Sequence, residues 1–288
     1  MQTINRRSFI SKTALGAGAA FVLLQLPKQL LAGARAVDMP IGFQTWTVRE
    51  MLAKDFAGTL KMMAAQGYQS AEMCSPKGYK DIGYGPLLSM KTTDMRKIIE
   101  DTGLICPSCH FGSAEFNNEN IDDRIQFAHD LGLTQMICST FWLPKTATLD
   151  DYRSSADKLN KAAEKIKAAG LQTGFHNHDF EFATLDGQLI YDALMKEFDP
   201  DLVKMQFQTE VINLGYKASD YFKKYPGRFI SAHLSDWTKD KKEVPVGQGV
   251  IDWKEFFAAA GTGGVQNIFV EMSFDTFKDS ARYLKNMA

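Results

Sequence analysis

The 288-residue chain is poor in the features that would mark several common function classes. It has four cysteines, and only Cys106-Pro-Ser-Cys109 has the spacing of a zinc half-site or redox pair. No second pair exists to complete a zinc site, and Leu104 to Phe111 reads as a strand, in which residues three apart face opposite sides. These cysteines are therefore expected to be small buried side chains. No glycine-rich turn follows the first strand-like run, where Gln44-Thr45-Trp46-Thr47 stands instead, which argues against an open dinucleotide-binding sheet. No arginine cluster or glycine-rich loop stands near the last two strands, so the chain lacks an evident phosphate grip.

Acids are missing from residues 1–36, which carry Arg6, Arg7, Lys12, Lys28 and Arg35. That asymmetry marks a targeting segment. Asn5-Arg6-Arg7-Ser8-Phe9-Ile10-Ser11-Lys12 has the form of a twin-arginine export signature. The apolar stretch Ala14 to Leu24 is too short to span a bilayer comfortably, and Ala34-Arg35-Ala36 supplies a cleavage site. No cysteine follows Leu30-Leu31-Ala32-Gly33 to take a lipid anchor. The expectation is a signal over residues 1–36, recognised by the twin-arginine export machinery, and a mature chain 37–288 that is periplasmic or otherwise exported and has no stable membrane span. Without the five early bases, 28 of the 33 Lys+Arg remain against 34 Asp+Glu, a formal net charge of −6 that disfavours nucleic acid as partner.

What the remaining chain does have is a repeated unit, an apolar strand, a polar loop and a helix with apolar residues three and four apart. Eight such units are predicted. Their strands are Ile41–Trp46, Ser70–Met73, Leu104–His110, Gln135–Ser139, Gln172–His176, Val203–Gln208, Ile230–Leu234 and Asn267–Glu271, and helices follow near 53–66, 92–102, 120–131, 151–169, 188–197, 217–224, 253–260 and 275–287. In the first helix Phe56, Leu60, Met63 and Ala64 line one face and Gly67 ends it. Strict alternation implies parallel strands with right-handed crossovers, and eight units in about 250 residues match a single-domain (β/α)8 TIM barrel.

Chemistry in such a barrel gathers at the carboxyl ends of the strands. Those ends carry Trp46, Glu72, His110, His176, His178, Gln208, Glu210, His233, Asp236, Trp237 and Glu271, with Trp142 just beyond the fourth, while His129 falls in a helix. His176, Gln208, His233 and Glu271 end four consecutive strands, a mixed nitrogen and oxygen set suited to Mn²⁺, Co²⁺, Mg²⁺ or Zn²⁺. Glu72 and Glu271 are expected on opposite sides of the barrel, where they could flank a sugar and, with His110, pass a proton beside a carbonyl that the metal polarises. Trp46, Trp142 and Trp237 could stack on a sugar ring, and His178 and Asp236 are further candidates for substrate binding.

Phe175-His176-Asn177-His178-Asp179-Phe180-Glu181-Phe182 resembles the Tyr-His-Asn-His-Asp-Phe-Glu-Phe segment of the sugar phosphate isomerase/epimerase-like proteins, members of the xylose isomerase-like TIM barrel superfamily. Further similar segments follow in order: Tyr225-Pro226-Gly227-Arg228-Phe229, His233-Leu234-Ser235-Asp236-Trp237, Val246 to Trp253, and Phe269-Val270-Glu271. The resemblance implies a divalent-metal site and proton transfer on keto or aldo sugars. His233 and Glu271 match the family ligands on strands seven and eight. His176 stands where relatives usually carry glutamate, and Gln208 lies in the pair Phe207-Gln208 where they usually carry aspartate.

The reading that follows is a metal-dependent isomerase or epimerase of an unphosphorylated sugar or keto-sugar. One alternative is an enzyme cleaving 3-keto-glycosides by elimination, as a lyase or in a hydrolase-like manner. The other is a barrel that binds sugar without catalysis, which the two missing carboxylates would explain.

Overall fold

The computed structural model describes residues 39–287, so the expected export signal at 1–36 lies outside the described residues. Eight parallel strands close into a barrel. They are β1 Ile41–Gln44, β2 Ser70–Cys74, β3 Ile105–Phe111, β4 Gln135–Cys138, β5 Gln172–His176, β6 Val203–Gln208, β7 Phe229–Leu234 and β8 Asn267–Val270. Each pairs with its neighbours in sequence, and β8 closes the ring on β1 through Ile41 opposite Ile268 and Phe43 opposite Val270. The predicted eightfold alternation is the architecture observed. Among the described residues no helix is long and apolar enough to cross a membrane.

The outer helices are α1 Phe56–Ala65, α2 Thr92–Asp101, α3 Ile121–Leu131, α4 Leu149–Ala168, α5 Ile190–Glu197, α6 Ala218–Lys224, α7 Trp253–Gly263 and α8 Phe277–Met287. In α4 the spacing of Tyr152, Ala156, Leu159, Ala163 and Ile166 puts one apolar stripe against the barrel. Thr148 and Asp151 cap its amino end reciprocally, and the exposed pair Lys161–Asp157 on its outer face adds little in water. Full burial of a side chain such as Leu159 contributes about 1.5–3 kcal/mol, so the stripe holds this helix in place.

The first predicted helix is two. Arg49–Lys54 stops at Asp55, whose extended backbone and carboxylate, accepting from the Gly58 amide at 2.8 Å, start α1 afresh. The predicted first strand also ends early, because Thr45–Val48 form a 3-10 turn that carries Trp46 beyond the ladder.

Alternation along the strands separates two cores. Phe43, Met73, Phe175, Phe207 and Leu234 belong to the apolar core, while Gln44, Glu72, His110, His176, Gln206 and His233 are buried polar residues on the interleaved positions that converge inside the barrel. Below that polar layer the barrel is filled by Phe269 and Ile137, and a β-carbon at Gly42 or Gly174 would collide with them.

Two bulges interrupt the alternation. Ser70 pairs with Ile105 but Glu72 with Ser108, which leaves an extra residue in β3. Met205 pairs with Phe229 but Gln206 with Ser231, which leaves one in β7. The β3 bulge falls between Cys106 and Cys109 and removes the strict alternation on which the opposite-face expectation rested. The four cysteines are buried free thiols.

Candidate active site

The bulges bring Ser108 and His110 of β3, and Ser231 and His233 of β7, to the same interior layer as Glu72. Glu72 is fully buried and accepts four hydrogen bonds. Ser108 Oγ (2.5 Å) and Gln206 Nε2 (2.7 Å) donate to Oε1, and Gln44 Nε2 (2.6 Å) and His233 Nε2 (2.5 Å) donate to Oε2. Burial would raise its pKa, but His110, His233 and the hydrogen bonds prevail and hold it at about 2.

His233 bridges two carboxylates, with Nε2 on Glu72 and Nδ1 2.9 Å from Glu271 Oε2. Burial disfavours its charge, yet Glu271 and Glu72 outweigh burial and push the pKa up to about 9, so it is an imidazolium at neutral pH. The other rim histidines are neutral. Burial and then the neighbouring imidazoles hold His176 well below the usual range; burial lowers His110 despite Glu72, and brings His178 to about 4. Since the Gln206 amide nitrogen is committed to Glu72 and Ser231, its oxygen faces His110 Nε2 at 2.6 Å and accepts from it.

Glu271 continues the β8 ladder, its amide donating to the Leu234 carbonyl. Its side chain is 19% exposed, against 0% for Glu72. Burial opposes ionisation there too, but His233 and its hydrogen bond keep the pKa below the usual carboxylate value. Gln208 Nε2 donates to Glu271 Oε2 at 2.8 Å.

The sequence-predicted residues divide into three groups. His110, His176 and His233 converge, each offering a ring nitrogen within 4.8 Å of the other two, and among the described residues they are the one such set of His, Cys, Asp and Glu. Glu72, Glu271 and Gln208 surround that set through hydrogen bonds. His178, Trp46 and Trp237 are partly buried at the mouth, where the His178 ring stacks on Phe180 and Arg49 lies 4.4 Å over Trp46. Trp142 stands at the rim, 66% exposed and with φ of 53°, a backbone conformation unusual for a bulky residue. Asp236 departs from expectation. It is fully buried and accepts from the amides of Trp237, Gly247, Gly249 and Ile251 and from Trp253 Nε1, so its oxygens tie down the loop before α7 and are not open to a substrate.

Sequence reasoning passed over Gln44, Ser108 and Ser231 and left Gln206 without a place. Ser108, Gln206 and Ser231 each stand two residues before a predicted site residue, so the period of two was the available signal. The donor set suits a divalent cation. His176 is a neutral imidazole whose Nδ1 is buried without a hydrogen-bond partner, and neutral imidazoles are good ligands.

The model of the family described as xylose isomerase-like TIM barrel matches residues 60–287. Among solved structures, a sugar phosphate isomerase/epimerase from Parabacteroides distasonis ATCC 8503 is 24% identical with a TM-score of 0.70, covering 88% of this chain and 96% of that one. A D-allulose 3-epimerase from Methylomonas sp. is 13% identical with a TM-score of 0.63, covering 88% and 100%. A xylose isomerase-like TIM barrel protein from Mycobacterium smegmatis, in complex with magnesium, is 15% identical with a TM-score of 0.64, covering 88% and 97%. At these identities the likeness shows the fold. No curated protein matches the chain.

Proposed function

The chain belongs to the xylose isomerase-like TIM barrel family, and from that premise we propose that it is a metal-dependent isomerase or epimerase of an unphosphorylated sugar or keto-sugar. The observation that carries this reading is the pairing of Glu271 with His233. A carboxylate held ionised by an imidazolium 2.9 Å away reaches the mouth, beside the neutral imidazole of His178. A base must be ionised, reachable and oriented, and Glu271 meets all three conditions. Glu72 is ionised and oriented but out of reach, so its role is to orient His233 and compensate its charge.

Glu271 would take the proton from the carbon next to the substrate carbonyl. The C–H electron pair moves into the carbon–carbon bond and the carbonyl oxygen gains the charge. Return of a proton to the other face of that carbon inverts it; return to the former carbonyl carbon, with the hydroxyl proton of the first carbon passing to the former carbonyl oxygen, isomerises the sugar. His178 would supply or receive the second proton. A divalent cation held by ring nitrogens of His110, His176 and His233 would polarise the carbonyl. Trp46 and Trp237 offer apolar faces for a sugar ring.

A second reading, elimination from a 3-keto-glycoside, is favoured by one observation. Trp142 and the exposed Phe180 extend the apolar surface beyond the mouth, where the departing half of a glycoside would lie. Export of the chain through residues 1–36 belongs to the same proposal, since extracytoplasmic glycosides would then supply substrate. Cell fractionation of chains with Arg6→Lys and Arg7→Lys tests it, and unchanged export would count against it.

The metal-loaded protein should be incubated in D₂O with a panel of free aldoses, ketoses and 3-keto-glucosides. Deuterium at the carbon beside the carbonyl supports the first reading, and release of aglycone the second. Saccharide binding with neither outcome would leave only the non-catalytic barrel.

A further inference from the structure

We infer that the cation centre of this chain is a three-imidazole site, His110, His176 and His233, which selects zinc or cobalt over magnesium and manganese, and that Gln208 is a hydrogen-bond donor to Glu271 and not a ligand. The inference rests on the metal-dependent reading above and specifies its metal.

Three observations support it. The first is convergence. One ring nitrogen from each histidine lies within 4.8 Å of the others; the His110 and His233 rings are nearly parallel at 12° with centroids 5.1 Å apart, and the His176 centroid is 4.4 Å from that of His233. The bulge in β3 puts His110 into this layer from the far side of the barrel, so the set reaches beyond strands five to eight.

The second is outer support. A ligating histidine usually gives its other ring N–H to a fixed acceptor, which sets the tautomer and the ring plane. His110 Nε2 has Gln206 Oε1 at 2.6 Å and His233 Nε2 has Glu72 at 2.5 Å. Gln206 is itself held by its bonds to Glu72 and Ser231. At His233 a cation on Nδ1 would take the place of the proton now shared with Glu271, and its charge would keep that carboxylate ionised in turn.

The third is the orientation of Gln208. Its Oε1 faces the Ser235 hydroxyl and the Glu210 amide at 3.4 and 3.5 Å, so the amide turns its nitrogen and not its oxygen toward Glu271 Oε2, at 2.8 Å. An NH₂ group so placed cannot ligate. The converging donors are all ring nitrogens, and the nearest carboxylates, Glu72 and Glu271, are already engaged by His233 and, at Glu271, by Gln208. Magnesium and manganese prefer oxygen donors, whereas imidazole suits zinc and its neighbours.

The test is to strip the full-length protein with chelator and titrate it separately with Zn²⁺, Co²⁺, Mn²⁺ and Mg²⁺ by calorimetry against a competing chelator, recording the visible spectrum of the Co²⁺ form. We expect one ion per chain and the intense bands of low-coordinate cobalt. His110→Ala should weaken Zn²⁺ binding more than about 100-fold, beyond the 10–100-fold typical of losing an outer partner. His110→Gln, a polar side chain in the same place, serves if the alanine variant does not fold. Gln208→Asp, by adding a carboxylate, should raise Mn²⁺ affinity at least about tenfold. Magnesium or manganese binding as tightly as zinc in the unaltered protein, or zinc affinity unchanged in a folded His110 variant, would overturn the inference. Zinc bound as expected without deuterium exchange in any sugar would instead sink the isomerase reading and leave this site standing.

Discussion

Glu72 and Glu271 hold opposite ends of one imidazolium, yet they are placed for different work. Glu72 lies under His233 with no exposure and four donors, so moving its charge would disturb four other side chains at once. Glu271 lies over His233 at the mouth, accepts on one oxygen from His233 and Gln208, and reaches solvent. The floor gains order from saturation, and the mouth retains reactivity because it is not saturated. A buried carboxylate with every lone pair used is part of the scaffold, and one held ionised but reachable is available to a substrate.

The sharpest way to break this comparison is to neutralise each acid. Glu271→Gln should keep the fold, with melting temperature near that of the parent, and lower the deuterium exchange rate about 10²–10⁴-fold. A variant that exchanges at the parental rate would remove the distinction. Glu72→Ala should act on stability, since it leaves the His233 charge short of a partner and several buried donors unpaired. A loss of about 3–5 kcal/mol is expected in denaturant unfolding.

Glu181, beneath the mouth, offers a test by pH. Burial raises its pKa to about 8, and its Oε2 accepts from the His178 amide at 2.7 Å. Because the folded value exceeds the unfolded one, the unfolded chain loses this proton first as pH rises. The contribution is full below about pH 4.5 and declines through about pH 8. Glu181→Gln has no such proton, so the variant should gain on the parent by up to about 1.4 kcal/mol per pH unit across that window. Parallel stability curves would show Glu181 ionised in the folded protein. The smallest expected effect is at the outer rim. Trp142→Ala should leave the melting temperature unchanged and weaken saccharide binding by about 1 kcal/mol, roughly fivefold, by calorimetry.

Most of the barrel was legible because parallel strands buried on both faces must be short apolar runs, and helices covering them must carry one apolar stripe. β5 and β6 begin and end where the pattern placed them, at Gln172–His176 and Val203–Gln208. The break at Asp55 was less legible, since a good amino-terminal cap inside an apolar stripe reads as one more polar position until its backbone is seen. The bulges left no local mark, because an extra residue in a strand is defined only against its partner. Asp236 misled for a related reason. A conspicuous acid at a strand end looks functional, and only the return of residues 247–253 over it shows that its oxygens are taken.

Sequence alone determined that eight strand–helix units close into a barrel and that histidines and acids crowd one rim, because hydrophobic period and chain order are local properties. Tertiary structure decided which of those groups meet. It turned His110 across the barrel to His176 and His233, fixed the Gln208 amide as a donor, and separated the sealed Glu72 from the reachable Glu271. Register, bulges and the competition of buried donors for a few lone pairs exist only once distant segments pack together.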